Sequence, residues 1–446
     1  MSFHNALGED WVIASSADAA FANSLRLILD RGQDCSASAS LSIGSKKTSK
    51  EILNFSCLLD APLRRLPINK KLNLPAAVAR FVWMMAGSDR LADIAFYEPK
   101  VHSFSDDGIS VPGSSYGQRI LRARPGLNQL ESAIKRLKQD PATRRSAIAI
   151  YHPEDAVRES HDIPCAFGIF YRVLEGQLIA TTLMRSNNAF VLMPYNIFEF
   201  SLLAEAVAVE TNIPLGGLVH SAISMHVYQD NYDAAQSVIT SYDSNPLQGM
   251  DTACPPIPLA SSPLESIRKL VILEADLRHA SAGLSGDNIE EMIDQGNAEL
   301  DSYWRQLYFL LLLHVAKRNR SQPALSALEA VIIDPWKSYL GLDAFRLQGN
   351  PAQATAQLLE LELPVDTYKG ANIIPFHRAK YLRTLKHKAA AYEESGKGSI
   401  SWREFSAMEE ALADQIAASG ADSELSDSDF ERLLNSSRTR QGELSL

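Results

Sequence analysis

The chain has 446 residues, of which 46% are hydrophobic and 22% charged, and its formal net charge is −10. This composition is typical of a globular protein with two or three domains. The negative charge argues against nucleic-acid binding through bulk electrostatics but leaves room for a local phosphate pocket. The four cysteines are widely spaced and form no CxxC motif. We therefore expect a reduced, cytoplasmic chain with no disulfide framework and no bound metal.

No stretch of the sequence has the pattern of a targeting or membrane-spanning segment. Residues 1–18 are polar and acidic, unlike a signal peptide. The longest apolar run, residues 307–313, is too short to cross a bilayer and predicts a buried helix. We therefore expect no membrane partner.

Hydrophobic periodicity divides the N-terminal half into alternating helices and strands. Apolar residues at helical spacing predict helices over residues 19–31, 76–86, 127–138 and 198–210. Strand-like runs lie at residues 146–151, 167–171 and 178–183. Small residues predict loops over residues 34–42 and 108–117.

Four prolines within residues 252–263 mark a predicted domain boundary. Residues 1–260 form the first predicted domain, residues 261–422 a helical domain and residues 423–446 a frayed, disordered tail. The helices predicted after the boundary lie at residues 264–279, 288–319, 324–333, 352–362, 379–395 and 403–419.

Polar residues at the ends of several elements indicate a shared site. They are Cys165 after a proline, Arg185 and Ser186 after a strand-like run, Asn196 ahead of a helix, and the alternating pair His226 and Tyr228. We expect the polar tips of these elements to converge on Cys165.

In order and spacing, these residues resemble thymidylate synthase over residues 19–235. Six ordered matches indicate the fold, whereas any one alone would be weak. The matching motifs are Tyr116-Gly117, the pair Arg144-Arg145, Pro164-Cys165, Arg185-Ser186 with Asn188 at the position of an acid, Pro194-Tyr195-Asn196 and His226-Val227-Tyr228.

The resemblance implies an α+β fold, with a thymidylate-synthase-like sheet domain and flanking helices, followed here by an all-α C-terminal domain. It implies addition of a methyl or hydroxymethyl group at C5 of a pyrimidine nucleoside monophosphate similar to dUMP. The implied one-carbon donor is 5,10-methylenetetrahydrofolate. A homodimer is also implied, because the family's double arginine, here Arg144 and Arg145, reaches into the site of the other subunit.

Cys165 is the candidate nucleophile. A thiolate is a soft nucleophile, and its addition to C6 of a pyrimidine lets C5 accept a one-carbon unit. Arg185 would lower the pKa of the thiol by favouring the charged form. The alternative is a buried core residue, the usual fate of a free cysteine. The resemblance adds Tyr116, Arg185 and Asn196 to the catalytic group.

The remaining matches are candidates for binding the phosphate, the base and the sugar of a nucleotide. Forked guanidinium donors of Arg144, Arg145 and Arg185, with the Ser186 hydroxyl, match phosphate oxygens. For Arg144 and Arg145 the alternative is a solvated surface pair.

The base and the sugar have candidate ligands of their own. Asn196 can read the O4 and N3–H edge of uracil, and its alternative role is a helix N-cap. His226 and Tyr228 share one side of a strand and in the family hold the sugar hydroxyl. Their alternative is the edge of the core.

Several positions depart from the family and weaken the folate side of the site. A guanidinium cannot act as a base, and a neutral amide binds N–H groups less strongly than a carboxylate. Asn188 nevertheless stays among the predicted binding residues. The departures are Cys35 for a phosphate-binding arginine, Arg80 for a proton-relaying glutamate, Ala166 for a histidine, Asn188 for an acid and Leu192 for a glycine.

Two functions remain open from the sequence. The first is a C5 transferase that works through a Cys165 adduct. The second is a catalytically impaired nucleotide-binding module whose helical domain binds a partner protein. Arg80 and Asn188 favour the second, whereas Cys165, Arg185 and Asn196 favour the first.

Overall fold

The computed structural model describes residues 11–36, 48–70, 72–246, 253–259, 262–281 and 288–341, and a few isolated positions from 388 to 435. Apart from those isolated positions, the helices predicted at residues 352–362, 379–395 and 403–419 and the tail predicted at 423–446 lie outside the described residues. All the named elements below belong to one compact unit, Met1–Thr367.

Eight strands form one mixed sheet in the order β1-β3-β8-β6-β5-β4. The short strand β2 pairs with the start of β3, and β7 pairs with β8. The strands are β1 (Val12–Ala14), β2 (Gln33–Ser36), β3 (Thr48–Leu59), β4 (Ala147–Ala149), β5 (Ala166–Leu174), β6 (Gln177–Met184), β7 (Asn187–Asn188) and β8 (Leu215–Tyr228).

Helices flank the sheet and continue after its last strand. In the described residues the predicted mixed architecture is confirmed, and so are the predicted helices, except that the one expected over residues 288–319 is divided. The helices are α1 (Ala17–Arg31), α2 (Leu74–Ala86), α3 (Leu91–Ala95), α4 (Tyr116–Leu121), α5 (Gln129–Gln139), α6 (Met193–Thr211), α7 (Tyr232–Ser244), α8 (Pro263–Ala280), α9 (Ile289–Glu299), α10 (Ser302–Arg318), α11 (Gln322–Val331) and α12 (Trp336–Leu340).

Two sequence predictions are wrong in detail. The single helix expected over residues 288–319 is two helices, because α9 ends at Glu299 and the Asp301 carboxylate accepts the N–H groups that begin α10. The loop expected over residues 34–42 begins instead with strand β2, and its residues from 37 onward lie outside the described part.

Helix α6 lies at the centre of the unit, between the sheet and α2. Its own side chains are mostly apolar and buried on nearly all sides, which is typical of a helix inside the core. It also carries two buried carboxylates, and each is paired with an arginine. Glu199 bonds to Arg80 of α2, and Glu205 bonds to the fully buried Arg65. Burying these carboxylates without a partner would be costly, so the two ion pairs fix the position of α6.

The helices after the proline-rich segment share this core. Helices α8 and α10 pack against α2, where the rings of Phe81 and Trp304 stack with centroids 6.2 Å apart. Within the segment, Cys254 and Ile257 are buried, and the Ile257 N–H donates to Glu205 at 2.7 Å. The division into separate domains after residue 260 stays a prediction.

The opposite face of the sheet exposes apolar side chains. Along the strands these residues alternate with buried ones, because successive side chains point to opposite faces. The exposed residues are Ile13, Leu53, Phe170, Leu174 and Ile223. A sheet with one apolar face open to solvent is typical of a chain with a partner there. Among the described helices, none is long and apolar enough to cross a membrane.

Candidate active site

The pairing of β5 and β6 brings Cys165 and Arg185 together. Cys165 precedes β5 and Arg185 follows β6, and the Arg185 N–H donates to the Cys165 carbonyl at 2.7 Å. The guanidinium turns back along the same loop. Its Nε donates to the Pro164 carbonyl at 2.8 Å and its Nη2 to the Ile163 carbonyl at 3.0 Å. Arg185 therefore fixes the backbone that carries the thiol.

The charge of Arg185 also acts on the thiol itself, since its Nη2 lies 4.0 Å from Cys165 Sγ. Burial raises the pKa of the Cys165 thiol, and Arg185 and Arg80 lower this pKa in part. The predicted effect of Arg185 on this pKa is therefore present, but the pKa of the thiol as a whole is raised. Desolvation of the thiolate outweighs the attraction of the two cations.

Tyr116 lies beside Cys165 because α4 packs very closely on α2. A Cβ at Gly117 would lie 1.7 Å from the Met84 carbonyl oxygen, so only glycine permits this approach. Tyr116 stacks on Phe200 of α6, with ring centroids 6.2 Å apart, and its hydroxyl oxygen bonds to the Ala166 N–H. Burial and the neighbouring Cys165 raise the pKa of Tyr116, which keeps its hydroxyl protonated.

Asn196 lies in the first turn of α6 and is buried. Because α6 begins at Met193, the alternative role of Asn196 as a helix N-cap is wrong. Its side-chain oxygen accepts a hydrogen bond from Asn187 Nδ2 at 2.8 Å, and Asn187 in turn contacts His220. The sequence reasoning missed Asn187 and His220. The available signal was a second asparagine beside the Arg185-Ser186 motif.

Asn188 supports the backbone. Its side-chain oxygen accepts the N–H groups of Phe190 at 3.1 Å and Val191 at 3.0 Å. This Asx-type turn shapes the segment between β7 and α6. The oxygen is therefore committed locally, and a role in ligand binding stays a prediction for Asn188.

His226 and Tyr228 lie together on β8, with ring centroids 4.9 Å apart. Burial raises the pKa of Tyr228, and the nearby Cys165 raises it further. His226 is paired with Glu51 on the neighbouring strand β3. Burial lowers the pKa of this histidine, and Glu51 opposes the shift. Glu51 also bonds to the Cys35 thiol. A carboxylate and a thiol thus lie near the position where the resembling family has an arginine.

Arg144 and Arg145 lie away from this cluster. Both are exposed in the turn before β4, the outermost strand of the sheet. Ser186, by contrast, is half-buried directly after Arg185. One chain therefore brings together Cys165, Arg185, Tyr116 and Tyr228 but leaves the double arginine at the sheet edge.

Arg80 projects from α2 towards α6 and has two carboxylate partners. It bonds to the buried Glu199, one turn after Asn196, and to Glu98 at 3.2 Å. Its guanidinium also lies over the Tyr195 ring, 5.6 Å from the centroid. Burial raises the pKa of the Glu199 carboxyl, and Arg80 opposes that shift. The resembling family has a carboxylate at position 80. Here the carboxylate of Glu199 lies on the neighbouring helix and is paired with the Arg80 guanidinium.

In the described part of the chain, no group of three or more His, Cys, Asp or Glu side chains could hold a metal ion.

Comparison with known proteins gives the family. The thymidylate synthase family model matches residues 19–252, more than half of the chain. The chain belongs to the thymidylate synthase family, whose members normally use methylenetetrahydrofolate and typically form dimers.

Three relatives show how far the similarity extends. Deoxyuridylate hydroxymethyltransferase of Bacillus phage SP01 is 26% identical over 301 residues, 61% of this chain and 78% of the relative. The protein of the same name from Delftia phage PhiW-14 is 31% identical over 198 residues, 41% of this chain and 54% of the relative. A putative thymidylate synthase of Methanothermobacter thermautotrophicus is 33% identical over 125 residues, 28% of this chain and 55% of the relative. The chain spans about half the length of the last two.

The pairing of Arg80 with Glu199 predicts that position 80 no longer tolerates the family's glutamate. Arg80→Glu would place three carboxylates together, so we expect a loss of roughly 3–5 kcal/mol in the free energy of unfolding. Arg80→Glu with Glu199→Arg should recover much of the loss. Denaturant unfolding of both single variants and the double variant measures this coupling.

The matched control is Arg268→Glu, which breaks an exposed pair with Glu131. An exposed pair contributes at most about 1 kcal/mol, so this control should change stability little. Equal stability of the Arg80→Glu and Arg268→Glu variants would contradict the importance of the buried pair.

Proposed function

We propose that this protein transfers a one-carbon unit to C5 of a uracil nucleotide similar to dUMP, through a covalent adduct between Cys165 Sγ and C6. The observation that carries the proposal is the fixed loop of Cys165, held by Arg185 and flanked by Tyr116. Family membership and the two relatives named as deoxyuridylate hydroxymethyltransferases support the same reaction class.

The first chemical step follows from the groups around the thiol. The thiolate adds to C6, and the electrons of the C5–C6 double bond move towards O4, which leaves C5 nucleophilic. Arg185 and Arg80 favour the thiolate, but burial still raises the pKa of the thiol. The bound substrate must therefore offset the free-energy cost of forming the thiolate. After C5 has gained the one-carbon unit, loss of the C5 proton would expel the donor's carrier group and leave an exocyclic methylene at C5. Addition of water there would give the hydroxymethyl product, or addition of hydride from the reduced carrier the methyl product. In either case the returning electrons expel the thiolate from C6 and restore the C5–C6 double bond.

We propose that Arg185 and Ser186 bind the nucleotide phosphate and that Arg144 and Arg145 reach the site of a partner subunit. Guanidinium groups match phosphate oxygens well, and the exposed position of the double arginine at the sheet edge suits this role. The open apolar face of the sheet supports a homodimer, because an exposed apolar face is costly unless a partner covers it.

The residues on the folate side do not fit methylenetetrahydrofolate as the family holds it. The Asn188 oxygen is committed to two backbone N–H groups, and this position holds an amide in place of the carboxylate that the resembling family offers. Leu192 is half-buried where the resemblance expects a glycine. We keep methylenetetrahydrofolate as the proposed donor on family grounds and expect slow turnover with it.

A second candidate is a nucleotide-binding module with little catalysis, whose helical region binds a partner protein. The position of Arg80 favours it, because a guanidinium cannot relay protons as a carboxylate does. Both candidates share the nucleotide site and differ in whether Cys165 reacts.

Covalent trapping separates the two candidates. With 5-fluoro-dUMP and methylenetetrahydrofolate, we expect the wild-type chain to gain the combined mass of the nucleotide and the folate, because fluorine at C5 cannot leave as a proton does once C5 has bonded to the one-carbon unit. Cys165→Ala should show no mass gain in intact-protein mass spectrometry. Cys254→Ala, which removes a buried thiol beside Arg65, is the matched control and should be trapped like the wild type.

The outcome that favours the second candidate is equally clear. A wild-type protein that binds 5-fluoro-dUMP in equilibrium dialysis, yet gains no covalent mass, would contradict the transferase proposal.

Mixed subunits test whether the double arginine acts across a dimer. We expect Arg144→Ala/Arg145→Ala and Cys165→Ala to be inactive in trapping when each is pure. Co-expressed and purified as a heterodimer with two different affinity tags, they should regain up to about half of the wild-type trapping, because one of the two sites is then complete. Absence of any recovery would place the arginines in their own subunit's site.

A further inference from the structure

A chain of four buried polar side chains runs from the sheet to Asn196. Its members are Thr182 of β6, His220 of β8, Asn187 of β7 and Asn196 of α6, each at most 2% exposed. Thr182 Oγ1 lies 2.8 Å from His220 Nδ1, His220 Nε2 lies 3.1 Å from Asn187 Oδ1, and Asn187 Nδ2 lies 2.8 Å from Asn196 Oδ1. Each member thus hydrogen-bonds to the next.

The threonine hydroxyl sets the direction of the chain. Its other acceptor, the Val219 carbonyl, lies 3.5 Å away, which is long for an O–H···O bond. The hydroxyl proton is therefore directed to His220 Nδ1. Burial lowers the pKa of His220 to about 4, so the neutral ring carries one proton, which lies on Nε2.

With this direction, every later donor and acceptor is determined. His220 Nε2–H donates to Asn187 Oδ1, and Asn187 Nδ2–H donates to Asn196 Oδ1. The Asn196 amide cannot rotate by half a turn, because its Nδ2 would then face Asn187 Nδ2, donor against donor, at a buried site. Asn196 is held in one orientation.

The orientation of an amide decides which pyrimidine it can bind. Uracil offers a donor at N3 and an acceptor at position 4, whereas cytosine offers an acceptor at N3 and a donor at position 4. A freely rotating asparagine can match either base, and a fixed one can match a single base. Selectivity then follows from the penalty for leaving polar groups unpaired.

We propose that Thr182, His220 and Asn187 hold the Asn196 amide in the orientation that binds uracil and rejects cytosine. The inference rests on the proposed function, because it takes Asn196 to face the base. The three residues are positioning residues, since they act on the nucleotide through Asn196.

The substitution Asn187→Asp exchanges the donor and acceptor roles between position 187 and Asn196, while the side chain keeps nearly the same shape. A carboxylate can accept from His220 Nε2–H and from Asn196 Nδ2 but cannot donate to Asn196 Oδ1. We expect the ratio of the Kd for dCMP to the Kd for dUMP, measured by calorimetry, to fall by about tenfold to a hundredfold. Asn245→Asp, an exposed position after α7, is the matched control for the added charge.

Two milder variants keep the test decisive if Asn187→Asp fails to fold. Thr182→Val removes the hydroxyl, so His220 can carry its proton on either ring nitrogen. Asn187→Ala removes the hydrogen bond to Asn196. Both should lower the same Kd ratio, whereas a purely structural role would weaken both nucleotides equally.

The outcomes separate this inference from the proposed function. If the wild-type protein prefers dUMP and every folded variant has the same ratio of Kd values, the hydrogen-bond chain does not orient Asn196. That result would overturn this inference and leave the proposed function standing. A wild-type preference for dCMP would overturn the uracil orientation. A wild-type protein that binds neither nucleotide would overturn both.

Discussion

The hydrogen bonds from Arg185 to the carbonyls of Ile163 and Pro164 hold the site together. They fix the loop of Cys165 and place a positive charge 4.0 Å from its sulfur. The same side chain therefore fixes the backbone of Cys165 and favours the charged form of its thiol. Because the sheet pairs β5 with β6, this arrangement follows from the strand register. Tyr116 and Asn196 then reach the site from helices packed on that sheet.

The second constraint is the burial of charge around α6. Glu199 and Glu205 would be costly without partners, and Arg80 and Arg65 supply them. The positive charge at position 80 is therefore balanced by a carboxylate on the neighbouring helix. The resemblance places a proton-relaying glutamate at position 80, where this chain has a guanidinium. It can stabilise negative charge on Cys165 but cannot carry protons.

Much of the fold followed from the sequence, since the periodic helices and the ordered polar motifs were both visible. The short helices α3 and α4 were not predicted, because one or two turns give little periodicity. The lowering effect of Arg185 on the pKa of Cys165 was predicted, but the larger opposing effect of burial was not, since burial depends on packing that sequence spacing does not show. The chain from Thr182 to Asn196 was also missed. Its members lie on four different elements, and His220 becomes a neighbour of Thr182 and Asn187 only through the parallel pairing of β6 and β7 with β8.

In the proposed reaction, Cys165 attacks C6 of a uracil nucleotide and activates C5. Release of tritium to water from [5-³H]dUMP tests it most directly, because exchange at C5 requires the C6 adduct. We predict release by the wild-type protein, increased by methylenetetrahydrofolate, and none by Cys165→Ala. A wild-type protein that binds the nucleotide but releases no tritium under either condition would contradict the account.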